Sequence, residues 1–558
     1  MFDRLIEAVS RSHLRAAFAL FALSLALFVP GQFTLQPMDR DEPRFAQATK
    51  QMLETRDFVD IRFQDEARHK KPVGIYWLQS AAVAGAEALG ITDARGQIGY
   101  YRIPSLIGAI IVVLATYWAG LAFLSRRMAV LAAALMAASI LLGVEARLAK
   151  TDAVLTATVV VAMGALARVW FAHVAPLASA RPGTGTILAF WLAIGIGVLI
   201  KGPITPLIPL IVVICLALRE RSLAWAKPMR LGLGLAIVVA IAAPWLIAIA
   251  VKSGGAFFTE SVGKDMLGKV GGVAEKHWGP PGAYAVAFWA TFWPGAPLAA
   301  LVGWFFWAER KDDAVSFLLA WIVPFWLVLE AMPTKLPHYV LPLYPAVAIL
   351  TLLAAERSAV PERGWRLWTS AGLMLLIPLA LLIGAPFAFL KFDGTLPISA
   401  MPLLGIATLL AALAARACLA ADVRAATIWG ILAAMPLTAA GFRFGMPELQ
   451  AINLSRNLAA TARVAECKDP RFATAGFREP SLVFLTRTDL RMISGGEVLA
   501  FLNGNEGDCR VAFVESRDEV EFLTQLPAVS TGMRLAGRVK GININGGRPL
   551  DIGVWIKR

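Results

Sequence analysis

The sequence predicts a polytopic α-helical membrane protein that carries a small α/β domain at its C-terminal end. Three observations predict this. First, 58% of the 558 residues are hydrophobic and 16% charged, with a mean hydropathy of +0.64. Soluble chains carry about 25% charged residues, so a cytosolic globular enzyme and a disordered chain are both excluded. Second, stretches such as 107–123 and 235–251 are continuously apolar over the ~20 residues that a helix needs to cross a bilayer. Outer-membrane strands instead alternate over ~10 residues, which excludes a barrel. Third, from about 457 onward roughly a quarter of the residues are charged. There, β-like runs at 481–486, 511–514 and 552–556 alternate with helical patterns at 497–502 and 518–526, the pattern of an α/β domain outside the membrane. The expected division is a membrane domain over 1–445 and an α/β domain over 446–558.

Apolar runs of spanning length fall near 15–33, 98–123, 128–144, 153–173, 186–200, 203–218, 230–251, 282–308, 314–332, 336–354, 367–390, 398–418 and 424–443, about thirteen spans. Residues 16–29, after Arg11 and Arg15, lack a small-residue cleavage site and read as an uncleaved first span. An odd number of spans puts the two ends of the chain on opposite sides. With Arg4, Arg11 and Arg15 inside, the alternate loops that hold Arg126-Arg127, 219–230, Arg310-Lys311 and 357–366 also fall inside, as the positive-inside rule requires. The net charge of +14 is read as cytoplasmic loops facing anionic lipid, with no nucleic acid as partner.

The outward loops are then 34–97, 145–152, 200–203, 252–281, 333–338, 391–397 and the tail from about 444. They place charge at the edges of spans: Asp39 to Arg44, His69 to Lys71, Glu145 to Asp152, Lys201, Lys264 to His277 and Lys335 to Tyr339. Lysine and arginine are disfavoured in short external loops, so an anionic partner is expected on that face. Cys215 and Cys418 lie in apolar segments. Cys467 and Cys509 lie in the tail, where they can pair if that domain is exported. No dinucleotide or phosphate-loop glycine motif and no internal repeat is present.

Asp39, Asp41 and Glu42 put three carboxylates within four residues after the first span, beside Arg44. Phe45, Ala48 and Met52 follow at helical spacing, predicting a helix along the membrane surface within an interfacial region of about 39–90. Asp41 reads as an N-cap with Pro43 in the first turn. Capping leaves the clustering unexplained, and a carboxylate here can take a proton from a nucleophile or orient a sugar. His69-Lys70-Lys71-Pro72 sets cations before an aromatic stretch containing Tyr76, either as a snorkelling anchor or as a site. Lys201 has only apolar residues and a Gly-Pro break around it, and an ionisable group so placed is a functional candidate. Lys335, His338 and Tyr339 repeat the theme. Lys71, Lys201 and Lys335, at three outward helix ends, suit a phosphate at the membrane surface. Asp152 opens the fourth span near Glu145, Arg147 and Lys150, as an N-cap or as a group that holds a cation of the site in place. The five histidines, His277 near Glu275 included, show no zinc-ligand spacing, so neither a metal nor a cofactor is expected to be required.

Taken in order, Asp41-Glu42, Lys71-Pro72 before Tyr76-Trp77, Thr151-Asp152, Lys201-Gly202-Pro203 and Lys335-Leu336-Pro337 before Tyr339 and Leu341-Pro342 resemble the protein O-mannosyltransferase-like integral membrane glycosyltransferases. Among these they most resemble the bacterial lipid A aminoarabinose transferases. The resemblance covers roughly the first 350 residues and implies a GT-C fold in the bacterial inner membrane with its active site facing the periplasm. It also implies inverting transfer of a sugar from a polyprenyl-phosphate donor to lipid A, lipopolysaccharide or another envelope acceptor. Residue by residue, Asp41 matches the family's loop aspartate and Asp152 its second acidic position. Lys71 matches the Lys of Lys-Pro, Lys201 the Lys of Lys-Gly, and Tyr339 the Tyr of the last motif. Two positions depart. Lys70 stands where the aminoarabinose enzymes usually have Glu, and Phe45 where they have Tyr, and an uncharged or acidic sugar fits the extra lysine better. A polytopic transporter or flippase is the alternative; it calls for paired halves and midplane charges, and the sequence has neither.

Overall fold

The computed structural model describes residues 2–38, 41–175, 182–261, 263, 278–359, 364–526 and 532–558. Asp39 and the stretch from Lys264 to His277 lie outside the described residues. A helix stands at every expected span, from His13–Phe28 to Val423–Ala439. Among the described residues, nine helices are long and apolar enough to cross a membrane, with His13–Phe28 and Gly295–Ala308 as shorter apolar helices.

Two of the expected spans are each built from two helices, Arg126–Ala138 with Ile140–Glu145 and Ala283–Thr291 with Gly295–Ala308. The breaks, at Ser139 and Trp293-Pro294, face each other. The Ile140 N–H donates to the Trp293 carbonyl at 3.3 Å, and the Ser139 hydroxyl donates to the Thr291 carbonyl at 3.2 Å. Backbone groups released from a helix inside a bilayer need such partners, because no water is there to take them.

Helices Asp152–Val174 and the stretch Pro337–Glu356 form the centre, 78% and 83% buried over their apolar stretches. Leu231–Lys252 and Trp365–Phe392, at 22% and 17%, are peripheral and turn leucine, valine and isoleucine outward, as lipid-facing helices do. Asp152, His338 and Tyr339 therefore sit on the innermost elements.

After the last membrane helix, five strands form one sheet in the order β4-β3-β5-β7-β6. The hairpin strands β1 (Arg62–Phe63) and β2 (Glu66–Ala67) precede them in the chain. β3 (Pro470–Ala475) runs parallel to β4 (Arg491–Ile493) and to β5 (Cys509–Glu515). β5 pairs antiparallel with β7 (Pro549–Lys557), and β7 with β6 (Met533–Ile542). Side chains alternate along β5, so Val511 and Phe513 join one apolar cluster while Ala512 and Val514 join another on the opposite face. This is the signature of a sheet covered on both sides. A disulfide joins Cys467 to Cys509.

One expected strand is a helix. Of the run 481–486, read as β-like, all but the C-cap residue Thr486 belong to the helix Pro480–Leu485. Pro480 suits a first helical turn, where its missing N–H is no loss, and Leu482, Val483 and Phe484 bury against neighbours on several sides. A short apolar run is ambiguous between strand and helix until its neighbours are known.

The helix predicted to lie along the membrane, Glu42–Thr55, is instead enclosed. Phe45, Ala48 and Met52 pack into the membrane domain's core, while Ala46, Gln47 and Lys50 are also buried. The C-terminal domain lies over it. Gln47 Nε2 donates to Thr488 Oγ1 at 2.8 Å, Lys50 Nζ to the Phe484 carbonyl at 3.2 Å, and Thr488 Oγ1 to Glu54 at 2.7 Å. Its apolar face was legible from spacing; its second buried face depends on residues more than 400 positions away.

Candidate active site

The acidic loop divides into two roles. Glu42 is fully buried and receives Arg102 Nε at 2.7 Å and Nη2 at 3.0 Å. It also accepts the backbone N–H groups of Met38 at 2.6 Å and Ala149 at 2.9 Å. Arg102 donates further to the carbonyls of Gln32, Leu35 and Gln36 at 2.8–3.0 Å. With every oxygen engaged, Glu42 is a staple joining the loop after the first helix, the helix Ile98–Gly120 and the loop 146–151, not a lining group of a substrate pocket.

Asp41 differs. Its backbone is already helical (φ −85°, ψ −38°) and its carboxylate makes no capping hydrogen bond, so the N-cap reading does not account for it. It lies near the fully buried Tyr76. Burial above all raises the Tyr76 hydroxyl pKa; Arg68 pulls it down and the Asp41 carboxylate adds to the rise. Arg68 sits over the Phe45 ring at 4.9 Å and Phe45 lies 5.3 Å from the Tyr76 ring. Asp41, Arg68, Tyr76 and Phe45 thus share one neighbourhood, built from the start of helix Glu42–Thr55 and the start of helix Gly74–Ala88.

Lys71 precedes that second helix and is partly buried. Gly74 explains how its segment comes close to Lys201, since a Cβ there would lie 2.7 Å from the Leu199 carbonyl oxygen. Only a glycine lets the start of one helix rest on the last turn of the other.

Lys201 ends the helix Thr184–Lys201, and Gly202 (φ +68°) turns the chain into a conformation that side chains rarely adopt. Its ammonium donates to the Asp152 carboxylate and lies 5.1 Å from the Tyr339 ring. Asp152 occupies the first turn of Asp152–Val174, after the N-cap residue Thr151, so its carboxylate holds a cation rather than capping. His338 Nε2 stands 3.8 Å from Asp152 Oδ2 and its Nδ1 3.8 Å from Glu145 Oε1, and Lys150 Nζ is 3.5 Å from the same Glu145 oxygen. Two carboxylates, two lysines and a histidine are gathered where four helix ends meet. Glu145, Asp152 and His338 bring one ligand atom each within 4.8 Å of one another, a donor set suited to a divalent ion. Lys150 and Lys201 already engage the two carboxylates.

An apolar groove of about 620 Å³ opens between the helices Gly74–Ala88, Ile98–Gly120, Asp152–Val174 and Thr184–Lys201. Val154 and Thr158 line it from the helix that Asp152 opens, Ile196 from the helix that Lys201 ends, and Ile107 and Ile111 from the helix Ile98–Gly120.

Two further nominated residues stand apart. Lys335 directs its ammonium at the carbonyls of Leu329, Glu330 and Met332 at 3.2, 2.7 and 2.8 Å, closing the end of helix Asp313–Ala331. Arg147, almost fully buried, donates to the carbonyls of Pro30 at 2.6 Å, Gly143 at 2.5 Å and Leu27, and lies over the Phe442 ring at 4.3 Å. Both close helix ends instead of lining a pocket. Arg44 lines a polar cleft against the C-terminal domain. Sequence reasoning passed over Arg102 and Arg68. An arginine inside an apolar span was the available signal for Arg102; nothing marked Arg68.

Residues 14–256 match the family described as dolichyl-phosphate-mannose-protein mannosyltransferase. Among solved structures, the chain superposes on ArnT from Cupriavidus metallidurans bound to undecaprenyl phosphate with a TM-score of 0.74 at 17% identity, covering 96% of this chain and 97% of that one. The chain has a GT-C fold. Among similar proteins are the undecaprenyl phosphate-alpha-4-amino-4-deoxy-L-arabinose arabinosyl transferases of Pectobacterium carotovorum (28% identity; 59% of this chain, 57% of that one) and Pseudomonas paraeruginosa (29%; 59% and 58%). The match thus spans less than two thirds of these relatives. The resemblance read from the ordered motifs recurs in all three comparisons, and this GT-C chain is a multi-pass membrane protein.

Proposed function

We propose that this protein is an inner-membrane glycosyltransferase that moves a sugar from a polyprenyl-phosphate donor to lipid A, lipopolysaccharide or another envelope acceptor on the periplasmic face. The observation that carries the reading is the Asp152–Lys201–His338 cluster at helix ends, together with an apolar groove lined by Val154 and Thr158 of the helix that Asp152 opens and Ile196 of the helix that Lys201 ends. A lipid-linked phosphate needs both at once, cations at the water boundary and an apolar track for its chain. The Cys467–Cys509 disulfide supports an exported C-terminal domain, because disulfides persist in oxidising compartments.

In this reading the acceptor oxygen attacks the anomeric carbon from the face opposite the phosphate, and the carbon–oxygen bond to phosphate breaks with its electron pair going to the phosphate oxygen. The configuration inverts. Lys71 and Lys201 stabilise the growing negative charge, a contribution of about 3–4 kcal/mol for a well-placed donor in comparable sites. Asp152 fixes the Lys201 ammonium. Asp41 takes the proton if the acceptor is a hydroxyl; a phosphate acceptor is already an anion and needs no base. No metal or cofactor is given a step in this reading.

The relatives' names specify aminoarabinose. In this chain His69 is buried against Asp60 at 2.8 Å and faces Glu260 at 3.7 Å, while Lys70 is exposed. An exposed lysine at this point favours an uncharged or acidic sugar. Mass spectrometry of lipid A, lipopolysaccharide and polyprenyl phosphates from a strain lacking the protein is the test. A glycoform should disappear and its lipid-linked donor accumulate, with restoration by wild type and not by Asp41→Asn. An unchanged glycan profile would sink the proposal, and full restoration by Asp41→Asn would remove Asp41 from the mechanism.

A further inference from the structure

A large cavity lies outside the membrane helices. It is a cleft of about 1300 Å³ between the interfacial segments and the C-terminal domain, larger than the ~300–1,000 Å³ of ordinary small-molecule pockets. One wall is the helix Glu42–Thr55 with the β1–β2 hairpin; the other is the segment from Arg478 to Ile493. Seven lysines and arginines line it against four carboxylates.

Part of this charge is balanced within the domain. Arg487 pairs with Asp489 at 2.9 Å and Arg491 with Glu506 at 2.7 Å. Lys70 on one wall and Arg478 on the other have no ion-pair partner among the described residues. Between them Lys50, 9% exposed, bonds only to the Phe484 carbonyl. Burial lowers its pKa, Glu54 and Asp93 oppose that, and Arg487 adds to it. Gln51, Gln64 and Thr488 add neutral hydrogen-bonding groups, the complement of a sugar ring rather than of a bare ion. The cleft also reaches the candidate active site. Arg44 lies one helical turn after Asp41, and Arg68 belongs to both the cleft wall and the Tyr76 neighbourhood.

We propose that this cleft holds the head of the acceptor, a saccharide bearing phosphate or comparable anionic groups, gripped by Lys70 from the membrane domain and Arg478 from the C-terminal domain, with its accepting oxygen directed past Arg44 toward Asp41. The C-terminal domain is then the acceptor-selecting half of the enzyme. This rests on the transferase reading for its reaction but not for its binding.

The test uses the full chain in phosphatidylcholine nanodiscs and two probes, the bisphosphorylated disaccharide released from lipid A by de-acylation and the same disaccharide after phosphatase treatment. Calorimetry should show the phosphorylated probe binding at least about tenfold more tightly than the other, a difference of about 1.4 kcal/mol. Arg478→Glu should weaken it by about tenfold and the Lys70→Glu/Arg478→Glu double variant further, while in Arg478→Glu polyprenyl-phosphate binding and the thermal midpoint stay at wild-type values and so report an intact fold. Equal binding of the two probes overturns the proposal, as does an unchanged affinity in the double variant. If the wild type binds the probe yet transfers no sugar, the transferase reading fails and the cleft stands. If the charge reversals leave the acceptor KM of an active enzyme unchanged, the cleft fails and the transferase stands.

Discussion

Two helix ends carry the same cue in the sequence and have different fates. Lys201 and Lys335 each follow a long apolar helix and precede a proline within two residues. The Lys201 ammonium crosses to Asp152 on the next helix and faces the Tyr339 ring. The Lys335 ammonium folds back onto three carbonyls and the Glu330 carboxylate (3.5 Å) of its own helix end, where a cation is favoured by the helix dipole. A lysine at the membrane edge becomes part of a site only if a neighbouring helix offers it a fixed anion before its own helix offers carbonyls.

That contrast is broken or sharpened by substitution. Lys201→Met should have the largest effect. It leaves Asp152 buried and short of its main partner, at a cost of about 3–5 kcal/mol, and should reduce turnover by at least about a hundredfold. Unfolding in detergent and single-turnover transfer would both show it, and wild-type turnover in a folded Lys201→Met protein would dissolve the distinction. Glu42→Gln should lower stability by a comparable ~3–5 kcal/mol, because it removes the charge opposite buried Arg102. Adding Arg102→Met should recover part of that loss, a coupling measurable in a double-mutant cycle.

Lys335→Met should cost only about 1–3 kcal/mol, the worth of charged hydrogen bonds to carbonyls, and should leave most of the transfer activity in place. A loss of activity matching that of Lys201→Met would return Lys335 to the site. The smallest effect concerns pH. Burial raises the pKa of Asp489, but hydrogen bonds and charge from Arg487 and Arg471 outweigh it and hold the carboxyl below its ordinary 3.8. Its stabilisation of the C-terminal domain is therefore complete above that ordinary value and fades as pH falls through the lower, folded-state value. The thermal midpoint of Asp489→Asn should change less than wild type on acidification below about pH 4.

The fold was largely legible in the sequence. A bilayer forces helices to a common length and to continuous apolarity, so each span announces itself locally. The C-terminal domain was legible in kind but not in every element, as 481–486 shows, because a six-residue apolar run carries no period long enough to decide between helix and strand. Of the nominated site residues, Asp152, Lys201, His338 and Tyr339 come together in the structure, and Asp41 lies close to Tyr76. Glu42, Arg147 and Lys335 looked identical to these from the sequence, since a charge beside an apolar run looks the same whether its partner is a ligand or a carbonyl.

The sequence alone determined that the chain crosses a membrane many times and that it sets cations at the ends of apolar helices. These are local properties, set by apolar length and by the cost of charge in lipid. Only the tertiary structure decided which charges meet. Glu42 reaches Arg102, Lys201 reaches Asp152, and the helix Glu42–Thr55 is roofed by a domain more than 400 residues later. Each of these contacts follows from how helices pack side by side, and no local pattern of residues records that.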